Sequence, residues 1–343
     1  MVRTEQRSGH RHFASCLALA GLIAALGACA KDKAPVNAST PEAFGDRDWT
    51  IGFSNASETN TWRTALRESI ESEVAKYDNV ELLITDANDS PAKQVSDMED
   101  LLTKGVDGLI IGAANLYVAN PILDECEKEG IPVVIVDRKV SSEKYDTFVS
   151  TDHMYGAVRG LTKLMELIGG KGKIAILEGL PGAGPAVERN AGYDEVLEKY
   201  PEVEAVRQAG DWSRASGQRV MENIITAHPD LDGIHFDNGE MAVGGIQALR
   251  AAGITDDMMR ASRPCLTWLD GYNGGLKMIK AGLGKYTILH PPRLHGSLSV
   301  TSMIQIFRGK TVPMRQPIAL DEITRENVDQ FVAMDEPDDF WTR

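Results

Sequence analysis

Ten short apolar runs recur from residue 48 onward at intervals of about 25–30 residues, with amphipathic stretches between them, and this rhythm constrains the fold more than any other feature. The runs cover residues 49–53, 80–85, 108–111, 132–136, 147–149, 173–177, 203–208, 233–236, 265–269 and 286–289. An interval of that length holds one strand and one returning helix, the unit that winds parallel sheets. The linking stretches carry the helical period. Trp62, Leu66, Ile70, Val74 and Tyr77 lie three or four residues apart, with Arg67, Glu68, Glu71 and Glu73 on other faces. Ser90 and Pro91 offer an N-cap and a first-turn proline ahead of Val95, Met98, Leu101 and Leu102, and Gly105 offers a stop. Similar patterns span 158–168, 186–200, 217–227, 241–252, 276–281 and 298–307. The strand at 147–149 follows its predecessor with no helix between, and ten strands exceed the usual open sheet of this kind. The reading is therefore α/β, with two doubly wound, Rossmann-like lobes.

Composition narrows the function. With 43% apolar and 25% charged residues the 343-residue chain is that of a globular protein. Fifty Asp and Glu against 36 Lys and Arg give a net charge of −14, the wrong sign for a general nucleic-acid binder. The first residues carry Arg3, Arg7 and Arg11, and 13–28 form an apolar run suited to a signal sequence but short for a membrane span. The run ends in Leu26-Gly27-Ala28-Cys29, which resembles a bacterial lipobox. We expect 1–28 to be removed, Cys29 to take a lipid, and 29–47 to act as a flexible tether. Removal would leave a charge of −16, so the anchor would rest on acyl chains and not on attraction to anionic lipid. An ordinary secretory signal, cut beside Ala28 or Ala30, is the other reading. Of the two thiols in the folded part, Cys126 falls on a helical pattern and Cys265 begins an apolar run. Two independently buried thiols are expected in preference to a disulfide, and neither has a partner at zinc-ligand spacing.

Open α/β sheets bind ligands beyond the carboxyl ends of their strands, so the residues that follow each run carry the functional information. The first run leads to Asn60 and Trp62-Arg63, the fourth to Asp137-Arg138 and the sixth, through a glycine-rich loop, to Arg189. The seventh leads to Asp211-Trp212, the eighth to Asp237-Asn238, the ninth to Asp270 and the tenth to His290. Carboxylates, guanidiniums, an amide and two of the five tryptophans recur at these places. That mixture suits a sugar, whose hydroxyls both donate and accept while its C–H faces pack on flat rings. Four to six charge-assisted hydrogen bonds of about 1.5–3 kcal/mol each reach micromolar affinity after ordering costs, with no catalysis required. Trp62 also fits the apolar stripe of its helix, and Arg63 and His290 also have ordinary solvated or strand-end readings.

At these residues the chain resembles the sugar-binding proteins of ABC importers, of type I periplasmic-binding fold, in the ribose-, galactose- and galactofuranose-binding group. The matching phrases are NDSPAKQVSDMEDLLTKGVDGLIIG, IPVVIVDR, GLPGAGPAVERNAGYDEVL, GDWSRASGQRVMENIITAHPDLDGIHFDNGEMAVGGIQAL and LDGYNGG, within residues 48–335. The resemblance implies two lobes, 48–150 with 291–316 and 151–290 with 317–335, joined by crossings near 150, 290 and 316, and a tail at 336–343. It places ligand contacts at Asn60, Trp62, Asp137 and Arg138 in one lobe and Arg189, Trp212, Asn238 and Asp270 in the other. His290 stands at a crossing where ribose binders use Gln, and Arg63 where they have a second stacking aromatic. Gly112 replaces an amide, and Ala56 and Gly239 also depart from the ribose pattern. The Trp62-Arg63 pair is more similar to the galactofuranose-binding branch, so a furanose, a hexose or a sugar acid all remain open.

The implied role is an extracytoplasmic, monomeric binder that delivers a monosaccharide to an ABC permease with a cytoplasmic ATPase, using no cofactor and no metal. A receptor for chemotaxis or a histidine kinase would use the same lobes. An enzyme with Asp211 and Asp237 as acid and base is the weaker alternative, since no G-x-S-x-G, H-E-x-x-H or P-loop motif is present. A repressor of the lactose type would need a helix-turn-helix where this chain has its signal-like segment.

Overall fold

The computed structural model describes residues 44, 45, 47–271 and 274–335, so the expectations for Cys29 and the leader lie outside the described residues. The first lobe opens with β1 (Trp49–Asn55), α1 (Thr61–Val74), β2 (Val80–Asp86), α2 (Pro91–Thr103), β3 (Gly108–Gly112), α3 (Asn120–Glu129), β4 (Val133–Val136) and β5 (Thr147–Thr151). The second lobe takes α4 (His153–Ile168), β6 (Gly172–Glu178), α5 (Gly184–Lys199), β7 (Val203–Ala209), α6 (Arg214–Ala227), β8 (Gly233–Phe236), α7 (Gly239–Ala251), α8 (Asp256–Arg260), β9 (Cys265–Leu269), α9 (Gly274–Lys280) and β10 (Tyr286–Ile288). The chain then returns through α10 (Pro292–Phe307) and β11 (Arg315–Ile318), and finishes with β12 (Glu322–Ile323) and α11 (Val328–Asp335).

These strands form two six-stranded sheets, ordered β11-β5-β4-β3-β1-β2 and β12-β10-β9-β8-β6-β7. All pairings are parallel except that of β10 with β12. The direction of winding reverses between β1 and β3, and again between β6 and β8. That is where doubly wound sheets leave a crevice.

Local chemistry explains the elements. β3 (GLIIG), β4 (VVIV), β8 (GIHF) and β9 (CLTWL) are buried at every position, as expected for central parallel strands covered on both faces. Side chains cap the helices that follow: Asn60 accepts from the Arg63 N–H, Ser90 from Lys93, Asp152 from Tyr155, Ser213 from Ser216 and Asn238 from Met241. Each cap contributes about 1 kcal/mol and fixes where a functional loop ends. Gly105, at φ +79, takes the left-handed turn after α2.

Three differences from the sequence reading have physical causes. β11 (RQPI) and β12 were not anticipated, because a charged edge strand with Pro317 and a two-residue strand leave no apolar run. β11 keeps the first sheet going to Ile318, so the third crossing lies between Ile318 and Glu322 instead of near 316. α4 and α10 begin at His153 and Pro292, five and six residues before the apolar periodicity at 158 and 298, since their first turns are rich in polar residues and glycine. Cys126 and Cys265 are both buried and unpaired, as expected. Among the described residues no helix is long and apolar enough to cross a membrane.

Candidate functional site

Of the twelve side chains singled out at the strand ends, ten line one cavity: Asn60, Trp62, Arg63, Asp137, Arg138, Arg189, Trp212, Asn238, Asp270 and His290. His153 and Pro185 complete its wall. The reading from strand ends missed His153, although the same rule reaches it two residues after β5. The cavity is about 30 Å³, the size of one or two waters. A sugar-sized ligand therefore enters only if the lobes part or side chains withdraw.

The first lobe builds its side of the cavity around Asp137. Following β4 the backbone turns left-handed at Asp137 (φ +64), which aims the carboxylate back over the sheet end. Arg63 Nη2 donates to Asp137 Oδ2 at 2.7 Å, and both side chains are nearly fully buried. His290 Nε2 lies 3.2 Å from Asp137 Oδ1 and His153 Nε2 3.2 Å from the Asp137 carbonyl. Burial works to raise Asp137, but Arg63 and the two histidines hold it well below the usual carboxylate range. Gly112 leaves room for Arg63: a Cβ there would stand 2.9 Å from Arg63 Nη1, so a side chain at this position would crowd the guanidinium. Trp62 serves both of its readings, since it packs with Leu66 and Ile70 in the core while its Nε1 donates to the His290 carbonyl at 2.8 Å. Its ring stacks on His290 at 5.0 Å.

In the second lobe Arg189 is shared between two carboxylates. Its Nη2 donates to Asp270 Oδ1 at 3.0 Å and its Nη1 to Asp237 Oδ2 at 3.2 Å. One guanidinium does not hold two neighbouring carboxylates fully ionised; burial raises Asp270 to about 7, with Arg189 opposing the rise and Asp237 adding to it. Trp212 (φ +58) and Asp270 (φ +56) are also left-handed, a conformation a bulky residue keeps only when its surroundings impose it. Arg138 comes from the other lobe to within 5.3 Å of the Trp212 ring centre. Among the described residues its guanidinium makes only long hydrogen bonds, to the carbonyls of Ala113 and Ala114, and burial followed by the Arg63 charge pushes it down to about 9. Among the described residues Arg63 Nη1, Arg138 Nε and Arg189 Nε are buried nitrogens that meet no hydrogen-bond acceptor, so the cavity has unused donating capacity.

Asp211 and Asp237 do not form an acid–base pair across this cavity. Asp211 is exposed, and Asp237 is fully buried, already accepts several donors and is absent from the cavity wall. Among the described residues Asp137, His153 and His290 place one possible ligand atom each within 4.8 Å of one another. Arg63 on the same carboxylate and Arg138 at 3.9 Å oppose a divalent cation, so this trio reads as a hydrogen-bonded group.

Two doubly wound lobes, three crossings and a cleft lined by charged and indole side chains from both define a two-lobed solute-binding protein. The chain belongs to the family described as periplasmic binding protein domain, whose model matches residues 51–311. It is 31% identical to the ribose import binding protein of Bacillus subtilis (strain 168), over 78% of this chain and 84% of that one. Among solved structures, a Mycobacterium smegmatis protein in complex with β-D-fucofuranose superposes with a TM-score of 0.77 at 27% identity, covering 83% of this chain and 94% of the other. The binding component of the arabinose ABC transporter from Shewanella sp. ANA-3, bound to α- and β-L-arabinofuranose, gives 0.76 at 27% identity, covering 84% and 95%. The family is one of solute binders and not of enzymes.

Proposed function

We propose that the protein captures a monosaccharide between its lobes and delivers it to an ABC import permease, working as a monomer held to a bacterial membrane by lipid on Cys29. The observation that carries this reading is the meeting of ten residues, spread from Asn60 to His290, around one cavity. Three guanidiniums offer donors to ring hydroxyls, Asp137 and Asp270 accept from them, and Trp62 and Trp212 offer flat apolar faces. Sugars bound by relatives, two of them furanoses, supply the ligand class; with Arg63 in place of a second stacking ring, a furanose is the form we favour. Ligand that touches both lobes stabilises the closed arrangement by its differential affinity, and closure shapes the rim that meets the permease.

Thermal unfolding against a panel of pentoses, hexoses, furanosides, sugar acids and inositols tests the reading. A binder at 100 times its Kd adds about 2.7 kcal/mol, so a clear rise in Tm with at least one sugar is expected. No rise with any member of the panel removes the sugar assignment.

A further inference from the structure

Asp237 never reaches the cavity wall, yet two groups that do reach it hang on its carboxylate. Trp212 Nε1 donates to Asp237 Oδ2 at 2.5 Å, and Arg189 Nη1 donates to the same oxygen at 3.2 Å and to the Asp237 carbonyl at 2.7 Å. The other oxygen, Oδ1, accepts from the Tyr193 hydroxyl at 2.6 Å. These donors come from separate places. Arg189 and Tyr193 lie one turn apart on α5, Trp212 is in the turn after β7, and Asp237 itself directly follows β8. The carboxylate is fully buried, so no water competes for its lone pairs.

Trp212 needs such a support. Its left-handed backbone is costly for a large side chain, and its ring lies so close over Gly179 that a Cβ there would come within 2.2 Å of Cε2. The Asn238 amide holds the Trp212 carbonyl at 3.0 Å, which fixes the turn, while the ring packs over Gly179 in the core of the second lobe. Among the described residues, the Nε1 bond to Asp237 is the hydrogen bond that ties the ring at its far end.

We infer that Asp237 is a positioning residue of the binding site: without touching the ligand, its carboxylate orients the Trp212 indole and the Arg189 guanidinium that do. The inference rests on the reading of this cavity as the ligand site. It also ties Asp237 to Asp270. Replacing Asp237 by an amide leaves Asp270 as the one carboxylate on Arg189, which relieves the like-charge repulsion on Asp270 and lowers the pH at which it ionises.

The test combines Asp237→Asn with Trp212→Phe on the full chain. Without ligand, acrylamide quenching of the wild type and Asp237→Asn, each compared with its Trp212→Phe partner, isolates the Trp212 signal. Asp237→Asn should at least double the quenching of that signal. Titration with L-arabinose, D-fucose and D-ribose should show Asp237→Asn costing at least tenfold in affinity, with the loss falling below threefold in the Trp212→Phe background. The pH midpoint of binding should move down in Asp237→Asn. Unchanged Trp212 quenching overturns the inference, as does an equal affinity loss in both backgrounds, which shows that Asp237 does not act through the indole. If the wild type binds none of the three sugars, the reading of the cavity is what suffers, and the quenching result alone decides the role of Asp237. Tyr193→Phe, which removes one donor and leaves the charge, covers the case where Asp237→Asn does not fold. It should shift both readouts in the same direction by a smaller amount, and a lack of any shift counts against the inference.

Discussion

Thr61 Oγ1, in the first turn of α1, donates to Glu240 Oε1, in the first turn of α7, at 3.2 Å across the mouth of the cleft. The two residues are 179 positions apart and belong to different lobes, and Arg214 holds the same carboxylate from the outer side at 3.0 Å. Such a bond forms only when the lobes meet. A net worth of about 0.5–1.5 kcal/mol corresponds to an effect on closure of about two- to thirteenfold. Thr61→Val, which keeps the shape and removes the donor, should weaken ligand binding by that factor and raise the radius of gyration of the ligand-free protein in small-angle scattering. An unchanged radius together with unchanged affinity would show that the contact does not hold the lobes.

The Arg63–Asp137 pair is a different case, because it is buried inside one lobe and not placed between two. Removing one partner of a buried pair leaves an uncompensated charge and costs about 3–5 kcal/mol. Asp137→Ala should therefore lower the unfolding free energy by that amount in urea. Arg63→Met combined with Asp137→Ala should lose much less than the sum of the single changes, since no lone charge is left. Additive losses in the double variant would mean that Asp137 is held mainly by His290 and His153.

Strand ends were legible because the sheet is parallel: apolar runs mark the strands, and whatever polar residue follows each run must stand at the same edge. Asn60, Asp137, Arg189, Trp212, Asn238, Asp270 and His290 were all reachable by that rule. Asp237 was visible to it as well, but the rule does not distinguish a residue facing the crevice from one facing inward, and only the three donors around it show which way it points. Gly112 carried half of a message. Its meaning depends on Arg63, 49 positions earlier, filling the space it leaves, a relation of volume that no local pattern encodes. β11 stayed hidden for another reason, since an edge strand needs only backbone pairing on one side and leaves Arg315 and Pro317 no need to be apolar.

Both thiols should be chemically silent in the native state. Burial, joined by Glu125 and Glu129, pushes Cys126 up to about 12, and burial pushes Cys265 up to about 11. The thiolate is the reactive form, so little of it exists near neutral pH. Peptide mapping after iodoacetamide at pH 8 should find both residues unmodified in the folded protein and both modified in urea. Rapid native labelling of either one would show that its surroundings open on the timescale of the reaction.

Acidification should destabilise the protein, and the sign follows from which groups refuse protons in the folded state. His153, His235, His290 and His295 are buried, and burial lowers all four, His153 and His235 to about 3. In the unfolded chain they titrate near 6.5. Their contribution is therefore intact above about 6.5 and is lost as pH falls below it, since the unfolded state then takes protons that the folded state does not; each histidine contributes a slope of up to about 1.4 kcal/mol per pH unit. Asp237 and Asp270 act in the opposite sense. Burial raises both, Asp270 to about 7, so the folded state keeps protons that the unfolded chain releases above about 3.9, and these two carboxylates favour folding as the pH falls. Four histidines outweigh two carboxylates. Urea midpoints should fall steadily from pH 6.5 to 4.5, and His235→Asn, which removes one titrating ring from the second lobe's core, should flatten that fall. A midpoint that holds level or rises toward pH 4.5 would mean that the histidines remain accessible to protons in the folded protein.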